Sequence, residues 1–169
     1  KLKYKNISLD KIIFQSLNKR YVEEFIKLEE KRNSDLIELH NRPIYLTYLT
    51  SKLKSKTYIL YFHNDPLTMS GSKTVSERIF LLKNCFKIIF NSNWSKRRFL
   101  EGMVGDYINS EKLVVINQSA KKSNVNLKNK KKIITFVGKL NKSKGYDLFG
   151  LAIIKILSKY KDWTGIVIG

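Results

Sequence analysis

Two lysines, two glycines and a helix start lie together late in the chain. Ile133–Val137 is an apolar, β-rich run of strand length, and Gly138 ends it. Lys139 and Lys144 then flank a short polar loop that closes at Gly145. Beyond it Phe149, Ala152, Ile153, Ile156 and Leu157 recur at helical spacing. A helix start offers unpaired N–H groups and the positive end of a dipole, so lysines beside it can seat a phosphate or pyrophosphate. An ordinary strand–turn–helix unit with surface lysines has the same spacing. The pattern therefore permits that seat without requiring it. Neither GxGxxG nor GxxxxGK followed by Ser or Thr is present. That argues against the usual dinucleotide fold and against a P-loop NTPase.

A second set of polar residues falls where strands should end. Asp35–His40, Thr57–Phe62, Phe86–Phe90 and Lys112–Ile116 read as short, largely apolar strands. Helical patterns separate them: 18–32 ahead of the first, Pro43 to about Leu53, Val75 onward after a Thr74–Glu77 capping box, and a basic helix opened by Asn91–Trp94. Residues 1–17 have room for a further strand around Ile12, Ile13 and Phe14. Strand–helix alternation predicts a parallel, doubly wound α/β arrangement with helices on both faces. Ligands of such sheets sit beyond the carboxyl ends of the strands. His40, His63, Asn91, Asn117 and Gly138 all fall there. His63 is the candidate for work at a reacting centre, although a histidine satisfying loop backbone would look the same. His40 and Asn41, with Arg42, are candidates to line a cleft, but Asn41 equally suits a helix cap. Asp65 is either a site residue or a turn former before Pro66. Trp94 reads as packing.

The totals narrow the classes. The 169 residues carry 33 basic and 14 acidic side chains, a net charge of +19, with 43% hydrophobic content. That is enough apolar material for a core, and enough charge to predict an anionic partner: phosphorylated small molecules, anionic lipid or nucleic acid. One cysteine and two histidines make a zinc site improbable and an intrachain disulfide impossible. No apolar run approaches the ~20 residues of a membrane span, and no signal-peptide pattern opens the chain. Lys121–Lys132 holds six lysines and no acid. Such a self-repelling stretch suits a linker. The division expected is 1–117 as a first domain, 118–131 as a basic linker and 132–169 as the beginning of a second. A first residue other than Met, and a last strand stopping at Gly169, lead us to expect sequence missing at both ends.

Several of these segments carry a resemblance. Tyr61-Phe62-His63-Asn64-Asp65-Pro66, Ile88–Trp94, Val114–Asn117, Phe136-Val137-Gly138-Lys139-Leu140 with Lys144-Gly145, and Val167–Gly169 resemble, in order, segments of GT-B glycosyltransferases of family 4. Together they span nearly everything beyond residue 35. The resemblance implies two facing doubly wound domains of the Rossmann-like kind and a retaining, metal-independent transfer of a hexosyl group. The donor would be a nucleotide-diphosphate sugar, with no further cofactor. The acceptor would be a cell-envelope glycan or lipid-linked molecule of polysaccharide or lipopolysaccharide assembly, bound by the first domain. It makes His63 the active-site histidine, hydrogen bonding to the donor sugar. It makes Gly138, Lys139, Lys144 and Gly145 the diphosphate seat, where cations stabilise the departing charge. His40, Asn41, Asp65 and Asn117 are possible cleft residues.

The match has departures. Lys139 stands where the family has Arg, keeping charge but losing a bidentate fork. Asn117-Gln118-Ser119-Ala120 replaces Asn-Gly-Val-Asp, so the turn must differ or be strained. The glycine-rich loop of the first domain would precede Lys1, and the E-x7-E segment would follow Gly169. A chain limited to these residues is expected to be inactive alone.

The location expected is cytoplasmic, with the first domain resting peripherally on the inner face of the plasma membrane. Lys96, Arg97 and Arg98 are candidates for that contact, at ~1 kcal/mol per cation near an anionic surface. Two other readings compete: a basic α/β nucleic-acid-binding module, for which no recognition motif or basic stripe appears, and a GT-B sugar-nucleotide epimerase, since fold does not settle chemistry.

Overall fold

The computed structural model describes residues 16–122, 128 and 130–169. The strand expected around Ile12–Phe14 lies outside these, as do residues 123–127 and 129 of the lysine-rich stretch. The chain divides into two compact units, Lys1–Ala120 and Lys121–Gly169. It is α/β, with one four-stranded and one two-stranded parallel sheet, compatible with a Rossmann-like fold.

In the first unit, helix α1 (Leu17–Arg32) leads into strand β1 (Leu36–His40). Then follow α2 (Pro43–Lys52), β2 (Thr57–Phe62), a 3-10 turn at Pro66–Thr68, α3 (Val75–Asn84), β3 (Lys87–Phe90), α4 (Asn93–Leu100) and β4 (Leu113–Val115). The helix starts follow their caps. Ser16 accepts from the N–H of Lys19, Ser92 from that of Ser95, and Thr74 with Glu77 forms both halves of a capping box. Asn33 ends α1 in the left-handed conformation, φ 51°.

The sheet order is β1-β2-β3-β4, each strand beside the next in sequence. Right-handed crossovers that always step the same way bring their helices to one face. Burial follows that rule. Ile37, Leu39, Tyr58, Leu60, Phe62, Ile88, Phe90 and Leu113 share one core with Val22, Leu46, Leu49, Leu81, Leu82 and Phe99. The alternate residues Leu36, Glu38, His40 and Thr57 are exposed, and Ile59 and Tyr61 half-buried. Among the described residues, then, burial is one-sided along β1 and β2, not two-sided as expected, whereas β3 buries Ile89 as well as Ile88 and Phe90. The alternation along β1 and β2 is that of one-sided cover.

Beneath the carboxyl edge of the sheet, Phe62, Phe90 and Phe99 form a fully buried aromatic triad, with centroids 5.3 to 5.7 Å apart. Phe62 and Phe90 are the last residues of their strands, so the triad fixes where His63 and Asn91 emerge. The loop after β2 is held as firmly. Gly71 has φ +92°, and a Cβ there would lie 2.5 Å from the Ile44 nitrogen. Only glycine lets this loop rest on the start of α2. Buried Arg78 donates from Nη1 to the carbonyls of Ser72 and Lys73 and from Nη2 to that of Glu101, tying the loop to the end of α4.

The second unit is a β–α–β piece. Strand β5 (Ile133–Val137) pairs in parallel with β6 (Thr164–Ile168), and a 3-10 turn at Lys142–Lys144 and helix α5 (Tyr146–Lys159) lie between them. Phe136 packs against Tyr146 and Phe149, with centroids 5.5 and 5.4 Å away. Gly145 joins the turn to α5 at φ +73°. No described residue of this unit is fully buried.

Candidate functional site

His63 emerges at the carboxyl edge of the first sheet and is held at four points. Its backbone N–H donates to Asn41 Oδ1 at 2.8 Å, and its carbonyl accepts from Asn91 Nδ2 at 2.9 Å. Its ring Nε2 lies 2.9 Å from His40 Nδ1, and its Nδ1 2.6 Å from Gln118 Nε2. The residues after β1, β2, β3 and β4 are thus laced together at one strand end each. A cavity of about 160 Å³ opens there, lined by His40, Tyr61, His63, Asn91, Asn117 and Gln118 among others.

Asn41 reaches this position by an unusual backbone. It adopts φ +54°, which asparagine tolerates better than most residues. Its N–H donates to the Tyr61 carbonyl at 2.9 Å, while its side chain turns to His63. It does not cap α2. Arg42 holds the cap position and makes no side-chain cap bond. The expected helix cap is instead a clasp between β1 and β2. Arg42 borders a second cavity of about 210 Å³ between β1, α1 and α2, which Glu38 and His40 also line, with Tyr21, Phe25 and Tyr45.

His40 is the last residue of β1 and pairs in register with Tyr61. The two rings stack at 4.5 Å and 7°, on the sheet face the helices leave open. Glu38, two residues back on the same face, places Oε2 3.7 Å from His40 Nε2 and Oε1 3.4 Å from the Tyr61 hydroxyl. Partial burial, aided by the Glu38 carboxylate, pushes the Tyr61 phenol above its ordinary value, so it is a neutral donor.

Asp65 belongs to another cluster. One carboxylate oxygen accepts from the N–H of Leu67 at 3.0 Å, and the group pairs with Arg98 at 3.2 Å. The Asp65 hydrogen bond, with help from Glu101, holds the Arg98 guanidinium above its ordinary value. Arg98 also lies 5.9 Å from the Trp94 ring. Trp94 is 52% exposed, so it is not core packing. Lys96 donates to the Leu113 carbonyl at 3.0 Å. Of the three adjacent cations on α4, Arg97 alone is exposed; Lys96 and Arg98 are already engaged within the unit. Asn117 lines the edge cavity beside Gln118, with its own side chain exposed.

In the second unit Gly138 follows the end of β5, and its N–H donates to the Ile168 carbonyl at 2.9 Å. Lys139 and Lys144 are exposed, and neither is in an ion pair among the described residues. Asn141 Oδ1 accepts from the Lys144 N–H at 3.2 Å and shapes the turn. Helix α5 begins at Gly145 with no side-chain cap, which leaves early N–H groups available. Asp147, in the first turn, is the opposing charge there.

Glu38, Tyr61 and Gln118 are the members that sequence reasoning passed over. Period-two spacing along β1 could have put Glu38 on the face of His40. Gln118 stood out only as a departure from an Asn-Gly turn, with nothing to mark it as a partner of His63. Its backbone is not among the positive-φ residues, so the turn after β4 differs from an Asn-Gly turn without being strained. No family model matches the chain, and comparison with curated proteins finds no match.

Proposed function

We propose that this protein is a metal-independent, retaining glycosyltransferase of the GT-B type, family 4, acting in cell-envelope glycan assembly. Its units would be parts of two doubly wound domains. In this reading Lys139 and Lys144, with the uncapped start of α5, hold the diphosphate of a nucleotide sugar. His63 hydrogen bonds the sugar, and the edge cavity around Asn117 and His40 belongs to the acceptor side.

One observation carries the reading. In both units the residues carrying the family resemblance lie where parallel strands end, and in the second unit two cations with no ion-pair partner among the described residues flank an uncapped helix start. Cations and free N–H groups aimed at a leaving diphosphate lower the barrier by stabilising the charge that develops on it. Engagement of Lys96 and Arg98 within the fold leaves Arg97, beside exposed Trp94, as the part of α4 able to meet an anionic membrane.

Calorimetric titration of the full-length protein with UDP, GDP and ADP tests the proposal. Saturable binding of one of them well ahead of the matching nucleoside is the expected result. Equal binding of nucleoside and diphosphate, or no heat from any of the three, would overturn it.

A further inference from the structure

Four polar groups on and beside the open sheet face form a continuous line: Glu38, His40, His63 and Gln118. The separations are 3.7 Å from Glu38 Oε2 to His40 Nε2, 2.9 Å from His40 Nδ1 to His63 Nε2, and 2.6 Å from His63 Nδ1 to Gln118 Nε2. We propose that Glu38 and His40 are positioning residues that lock His63 in its Nε2–H tautomer, leaving the Nδ1 lone pair to accept a hydrogen bond from a hydroxyl-bearing ligand. This rests on the reading of His63 as a sugar-binding residue and names the group that would do the binding.

The argument is one of proton count. Two neutral imidazoles in line carry one ring proton each, and every gap can hold only one. The line can therefore run in one of two directions. Glu38 sits at one end and can only accept. It favours a proton on His40 Nε2, which leaves His40 Nδ1 bare. His63 must then donate from Nε2, and its Nδ1 must accept. At the far end stands the Gln118 amide nitrogen, a group that only donates. With the Gln118 carboxamide turned so that its nitrogen faces His63, both ends call for the same direction. The 3.7 Å gap at Glu38 is longer than a hydrogen bond, so the carboxylate acts there as an electrostatic bias.

Neither ring is free to turn away. His40 is stacked on Tyr61, and the Tyr61 hydroxyl in turn faces Glu38. The His63 backbone is fixed by Asn41 and Asn91, and its ring lies within 9° of parallel to that of His40, with centroids 5.2 Å apart. Among the described residues, the charged or titratable groups facing the pair are Glu38 and Tyr61 from the sheet and Arg42, which lines one cavity with Glu38 and His40. The Gln118 carboxamide comes from the exposed segment after β4, so a ligand hydroxyl can take its place without disturbing the sheet.

Long-range ¹H–¹⁵N spectra of the two histidine rings, recorded on the protein without nucleotide where both rings are neutral, read the tautomers directly. His63 is expected in the Nε2–H form by at least tenfold. Glu38→Leu should raise the Nδ1–H fraction of His63 several-fold, and Glu38→Gln, which keeps a carbonyl acceptor, should restore the original ratio. His40→Phe should also release it. A dominant Nδ1–H form of His63 in the unaltered protein would overturn the proposal, and so would a ratio that Glu38→Leu and His40→Phe both leave unchanged. Because the spectra need no nucleotide, their failure is separable from failure of the diphosphate reading.

Discussion

Glu29 is 3% exposed, yet it remains a carboxylate. Burial alone would raise its pKa. The Ser34 hydroxyl and N–H, at 2.7 and 2.6 Å, and Lys56 Nζ, at 3.1 Å, outweigh that and hold it below the ordinary 4.5. A carboxyl with a depressed folded pKa stabilises the fold above its unfolded value and loses that contribution as pH falls through the folded one. Stability measured by urea unfolding should therefore drop below pH 4.5, and Glu29→Ala should flatten that drop. The same variant should cost about 3 kcal/mol at neutral pH, since it leaves the partly buried Lys56 without its counter-charge, held only by the Asn33 and Ser34 oxygens. At this scale the sequence located His63 well, because a polar residue after an apolar strand marks a sheet edge. It could not show Asn41 as a clasp, since the left-handed turn that redirects its side chain depends on the partner strand.

The helices and strands were largely legible, and for local reasons. Thr74-Val75-Ser76-Glu77 reads as a capping box because its two bonds are made within four residues. Both are present: Thr74 Oγ1 accepts from the Glu77 N–H at 3.2 Å, and Glu77 Oε2 accepts from the Thr74 N–H at 2.8 Å. The Thr74 N–H is the main cause of a lowered Glu77 pKa. Thr74→Ala should cost about 1 kcal/mol in a denaturant titration, with little change in the edge site, because α3 lies on the covered face. The cover of the sheet was less legible. Mostly apolar strands suit helices on both faces, yet among the described residues β1 and β2 alternate, while β3 buries Ile89 as well as Ile88. Strand order decides how many faces the helices reach, and no local pattern encodes strand order.

Across the whole molecule, a net charge of +19 has to be reconciled with six Lys or Arg ion pairs among the described residues, three of them with both side chains exposed. Exposed pairs contribute little stability. The excess positive charge is therefore better understood through what it attracts than through what it stabilises. The alternation of strands and helices was visible in the sequence because it is written in local periods. What the two units do together was not, since a lysine-rich stretch such as 121–132 carries charge but no geometry.

The central claim is that Lys139 and Lys144 seat a diphosphate. Its most direct test compares the affinity of the full-length protein for its preferred nucleoside diphosphate with that of a Lys139→Ala, Lys144→Ala double variant, at fixed salt. Loss of two charge-assisted contacts should weaken binding roughly 100-fold, about 2.7 kcal/mol. An unchanged affinity in a folded double variant would contradict the account.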